Sequence, residues 1–117
     1  MHAHLVAPSA TECTNLLNDL LEDSERLYHR NVTTIQKVFH AQWLKTVGEY
    51  AGRVQMEFPE EPPALVEAAV RSRLSAYRQE LRRVQAVLIA QEREQRDGRE
   101  RGIRAYVASP QVQAQAA

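Results

Sequence analysis

Apolar residues recur at helical spacing along most of this chain. Leu17, Leu20, Leu21, Leu27 and Tyr28 are followed by Val32, Ile35, Phe39, Trp43, Val47, Tyr50 and Val54, the later steps being three or four residues each. That periodicity predicts amphipathic helix. Ser9 with Glu12 three residues on is a capping-box pattern at its start. One uninterrupted helix would run for about 45 residues, or about 68 Å at 1.5 Å per residue. The weak point is His29-Arg30-Asn31-Val32-Thr33-Thr34. Asn31 suits an N-cap better than a helix interior, and Val32, Thr33, Thr34 and Ile35 crowd β-branched side chains. A break there is the expectation, giving an N-terminal helix and a second one ending near Glu57.

Phe58-Pro59-Glu60-Glu61-Pro62-Pro63 is the strongest punctuation in the chain. Its prolines remove backbone donors and push the preceding residues out of the α region, while Pro63 suits the first turn of a new helix. So short a connection predicts an antiparallel pair. The next stripe is Val70, Leu74, Tyr77, Leu81, Val84 and Leu88, with steps of 4, 3, 4, 3 and 4. It reads as a coiled-coil heptad seam for helix packing or dimerisation. Continued, the seam turns polar at Gln91 and Gln95, and Gly98 is a candidate helix end. Glu92/Arg96 and Glu100/Arg104 are spaced i,i+4 and would support helix beyond it. Three segments follow: a flexible N-terminus at 1–9, a helical domain at 10–97 with its hairpin turn at 58–63, and a charged, low-complexity tail at 98–117.

The predicted fold is all-α, an antiparallel hairpin or bundle of two to three helices with a long C-terminal helix. Helices of unequal length would leave an overhang on the last one of about 10 residues, or about 15 Å. Either the N-terminal helix or a second copy of the chain must cover it, so a homodimer is expected. The 117 residues provide for one domain, and four Gly and five Pro leave little for turn-rich β structure. No apolar run approaches the roughly 20 residues of a membrane span. No secretory leader is evident, and Cys13 is alone, which favours a reducing, cytoplasmic setting. Cys13 itself reads as a small apolar residue on a helix face.

The formal net charge is zero, but it is segregated. Arg71–Arg104 holds ten arginines against five acids, and residues 1–70 carry the opposite imbalance. Two accounts compete. In the first, the acidic start (Glu12, Asp19, Glu22, Asp23, Glu25) packs beside the arginine stripe, within or between subunits. In the second, the stripe meets an acidic protein or a nucleic acid. Zero net charge, scarce lysine and the lack of interleaved aromatics apart from Tyr77 weigh against nucleic acid. Candidate partner-binding residues are Arg71, Arg78, Arg82, Arg96, Arg99, Arg101, Ile103, Arg104, Tyr106 and Val107.

Chemistry is poorly supported. Glu22, Glu25 and His29 share a helix side, but their spacing is not the Glu-x-x-His of carboxylate-bundle metal sites, and a solvated acidic face is the simpler reading. His2 and His4 could hold only a stray metal. His40, near Lys37 and Lys45, lacks the small neighbours of a phosphotransfer histidine. No nucleophile elbow, glycine-rich phosphate loop or cofactor motif is present. Gly48 and Gly52 share a face and suggest a tight helix crossing; Phe39, Trp43 and Tyr50 read as core sooner than as an aromatic groove. The expectation is a non-enzymatic adaptor, chaperone or assembly factor binding another protein through helical surfaces and the C-terminal segment. The alternative is a nucleic-acid-associated regulator using the arginine-rich face; a helical-bundle enzyme or metal protein is disfavoured.

Overall fold

The computed structural model describes residues 9–110 and 112. They form three helices, α1 (Ala10–Glu57), α2 (Pro63–Arg73) and α3 (Ser75–Val107). The expected flexibility of residues 1–8, and of most of the tail beyond Pro110, lies outside the described residues.

The capping box forms as the sequence predicts. The Glu12 amide donates to Ser9 Oγ at 3.1 Å, and the Ser9 amide donates to Glu12 Oε2 at 3.3 Å. The expected break near Asn31 does not occur: α1 is a single helix of 48 residues. An asparagine favours caps because its amide competes for nearby backbone groups. Here that amide is engaged elsewhere, donating to Glu92 Oε2 at 3.0 Å. Val32 and Ile35 are half-buried, so packing offsets the weak propensity of the β-branched run.

Glu57 ends α1 and Pro63 opens α2, as the prolines require. The intervening turn is pinned by Gln55, whose Nε2 donates to the carbonyls of Phe58 (3.1 Å) and Glu61 (2.8 Å). The second arm is interrupted once, at Leu74, with φ −91° and ψ 13°. No proline or glycine marks that site. Backbone bonds still carry the chain through it, Leu74 N to Val70 O and Arg78 N to Leu74 O, both at 2.9 Å. The last helix does not stop at Gly98; it continues through Gly98 and Gly102 to Val107, where a buried valine anchors it.

Contacts divide the chain into two compact units, residues 1–31 with 91–117 and residues 32–90. Each takes part of α1 and part of α3. In the first, the C-terminal part of α3 packs against the N-terminal part of α1, which thus covers the stretch expected to overhang. In the second, Trp43, Val47, Val66 and Val70 form the core, with Ala51, Val54, Leu74, Tyr77 and Leu81 packed around it.

Past Leu88 the buried positions depart from a continued heptad. On α1, Cys13, Ser24, Ile35 and Thr46 are buried or half-buried at intervals of eleven, as are Leu21, Val32, Trp43 and Val54. On the other arm, Val70, Leu81, Glu92 and Ile103 repeat at eleven, as do Leu74, Gln85, Arg96 and Val107. Eleven residues in three turns is about 3.67 per turn, close to the 3.6 of a straight helix, whereas a heptad gives 3.5. The seam therefore passes from Leu88 to Glu92 and leaves Gln91 and Gln95 exposed.

Candidate functional site

Residues 32–90 hold five of the chain's seven Phe, Trp and Tyr side chains. Trp43 is buried and its ring lies 6.4 Å from that of Tyr77. The Arg78 guanidinium stands over the indole at 5.1 Å, within cation–π range. The Tyr77 hydroxyl is within 3.4 Å of Thr46 Oγ1 and accepts from Gln42 Nε2 at 3.3 Å. Those two contacts, Thr46 first, lower the phenol's pKa. Beside this cluster runs an open groove of about 340 Å³, floored by Phe39, Trp43 and Leu81 and edged by Gln36, His40, Arg78, Arg82 and Gln85. No acid lines it. A second hollow of about 450 Å³, lined by Tyr50, Val54, Phe58, Ala69, Val70, Arg73 and Leu74, is mostly apolar.

The other unit is held by polar groups. Arg96 lies over the Tyr28 ring at 4.3 Å, 3.6 Å from Glu25 Oε1 and 3.2 Å from Asp97 Oδ1. Partial burial works against its charge, but the bond to Asp97 and the field of Glu25 prevail and hold its pKa above the ordinary value. Arg99 donates to Ser24 Oγ and to the Ser24 carbonyl, both at 3.3 Å. Ser24 is a buried polar residue, and the arginine satisfies it.

Glu100 shares a hydrogen bond with the Glu25 carboxyl, which raises its pKa; burial and Glu25's charge push the same way, opposed by Arg96 and Arg104. A carboxyl whose folded pKa lies above its unfolded one binds protons more tightly when folded. It therefore adds stability at low pH that is lost as pH rises through the raised value. Glu100→Gln keeps the hydrogen bond and removes the titration. Melting temperatures followed from about pH 4 to about pH 7 should fall more gently in the variant. Identical slopes would refute the raised pKa of Glu100.

Of the sequence's seam residues, Val70 is buried, and Leu74, Tyr77, Leu81, Val84 and Leu88 are half-buried. The candidate partner-binding residues separate. Arg71 pairs with Glu67 one turn away at 2.7 Å. Arg78 and Arg82 edge the groove, while Arg96 and Arg99 are engaged within the fold. Arg101, Arg104 and Tyr106 are exposed; Ile103 is half-buried and Val107 buried.

The match of the acidic start of α1 with the stripe from Arg71 to Arg83 is not realised within either unit. The acids at 12–25 share their unit with Arg93–Arg104, and among the described residues only Glu25 reaches one of these arginines through a charge contact. Arg83 is held by Glu80 one turn before it, at 2.6 Å. A Cβ placed on Gly48 or Gly52 would meet nothing within 4 Å, so no close crossing among the described residues explains these glycines. His29 lies 3.7 Å from Glu25, and no group of three or more His, Cys, Asp or Glu is placed to hold a metal among the described residues. Cys13 is buried beside Leu17 and Val107. No helix among the described residues is long and apolar enough to cross a membrane.

The groove at Trp43 and the Ser24–Arg99 contact were not legible as sites, because each combines residues far apart in sequence. The eleven-residue spacing was the available signal for both. Compared with protein-family models, curated proteins and solved structures, the chain matches none.

Proposed function

We propose that the chain is a non-enzymatic interaction protein, an adaptor, chaperone or assembly factor, whose two arms pair antiparallel as a hairpin and associate as a homodimer. The observation that carries this reading is how little apolar surface the fold encloses. No large side chain among the described residues is fully buried, while Leu44, Tyr50, Phe58, Leu65 and Val87 are exposed. A pair of helices leaves one face of each without a neighbour, and exposed apolar residues rimmed by charge are the composition of an interaction surface.

The partner-binding segment narrows to Arg101, Arg104 and Tyr106, since their neighbours Arg96, Arg99 and Val107 serve the fold. Deleting residues 98–117 would remove that buried valine and the Arg99 contacts, so loss of binding would carry no information about recognition. Replacing Arg101, Arg104 and Tyr106 together with alanine should leave helicity intact and abolish cross-linking to a partner protein in the source cell. Light scattering should give twice the 13.3 kDa chain mass for both the wild type and this variant. A monomer at all concentrations with an unchanged cross-linking pattern would sink the proposal.

The second reading, a nucleic-acid-associated regulator, draws on Arg78 and Arg82 beside Phe39 and Trp43. Such binding would fall steeply with salt.

A further inference from the structure

The groove at Trp43 and the turn between α1 and α2 carry matching, unsatisfied chemistry. Neither Arg78 nor Arg82 is in an ion pair among the described residues, and His40 faces the same space with no acid beside it. The turn presents Glu57, Glu60 and Glu61 around Phe58, and none of these carboxylates is in an ion pair among the described residues. Phe58 is 55% exposed. The turn is held in one shape by Gln55 and its prolines, so little ordering entropy is lost when it binds.

The two features cannot satisfy each other within one chain. His40 and Glu57 stand on the same helix, about 26 Å apart at 1.5 Å per residue. That is well beyond the screening length of about 8 Å at physiological salt. A second copy has no such restriction.

We infer that the groove edged by His40, Arg78 and Arg82 receives the α1–α2 turn of a second copy of this chain, and that the contact is reciprocal about a two-fold axis. Phe58 of the incoming turn lies on the floor made by Phe39, Trp43 and Leu81, and Glu60 and Glu61 meet Arg78 and Arg82. Each copy offers one groove and one turn, so a closed dimer uses both. The inference rests on the homodimer reading above and specifies its interface.

Two charge-reversed proteins test it. One carries Arg78→Glu with Arg82→Glu, the other Glu60→Arg with Glu61→Arg. All four positions are exposed, and circular dichroism checks that each protein keeps its helicity. Each alone should lose roughly 10-fold or more in dimer affinity, read by sedimentation or light scattering against concentration. An equimolar mixture should recover a one-to-one dimer, because both of its groove–turn contacts are again of opposite sign. If each reversed protein stays as dimeric as the wild type, this interface is wrong while the dimer reading stands. If the wild type is monomeric throughout, both fall. If the mixture fails to pair, the groove does not take the turn. Should the wild type bind a fluorescein-labelled single-stranded DNA in a manner abolished by Arg78→Glu with Arg82→Glu at unchanged mass, the groove is a nucleic-acid site and the inference is overturned.

Discussion

Trp43→Ala should destabilise residues 32–90 by about 3–5 kcal/mol, the range for truncating a large buried aromatic. A domain of this size has only about 5–15 kcal/mol in total. The indole is 6% exposed and stands at the centre of the Val47, Val66 and Val70 cluster. With two helical walls, few neighbours can move in to close the cavity. Arg78 also loses the ring it stands over, a contact worth about 0.5–1 kcal/mol at an exposed site. Urea denaturation followed by circular dichroism would show the midpoint fall by about a fifth at the least. A shift equivalent to less than about 1 kcal/mol would mean that this cluster is not the core.

Asn31→Pro should cost about 3 kcal/mol or more, because proline inside a helix removes an amide donor and clashes with the preceding turn. Here it also removes the Asn31 bond to Glu92. The substitution separates the two views of this segment. At the N-cap of a separate second helix the change would cost only the cap, about 1 kcal/mol. In the middle of an unbroken α1 it is disruptive. Helicity and melting temperature decide the matter, and an unperturbed Asn31→Pro protein would restore the break that the sequence pattern suggested.

Helix content, the turn at 58–63 and the start of α1 were all legible, since each follows from local patterning and backbone sterics. The expected break at Asn31 and the expected helix end at Gly98 failed for a common cause. Asn31 and Gly98 were judged by intrinsic preference, but both lie on helices whose neighbours override it: Asn31 through Glu92, and the segment beyond Gly98 through Arg99, Ile103 and Val107. The course of the seam past Leu88 was hidden for a different reason. Seven and eleven share their first steps, so Val70, Leu74, Tyr77 and Leu81 fit both, and the difference emerges only past Leu88. There the seam residues are Glu92, Arg96 and Arg99, which a search for apolar residues passes over. The charge asymmetry was real in the sequence, yet pairing of Arg96 with Glu25 and of Arg83 with Glu80 depends on register, which charge counting does not see.

The polar seam of residues 10–31 and 91–107 has a consequence for alignment. Two helices joined only by interchangeable aliphatic side chains can slide past each other by a turn and lose little, since one leucine fills another's place. Tyr28 and Ser24 have no substitutes one turn away on α1. A slip of α3 by four residues would carry Arg96 off its aromatic ring and leave Ser24 buried without Arg99. The arginines that first suggest an external target thus act as an index mark, fixing how far along α1 the returning chain must lie.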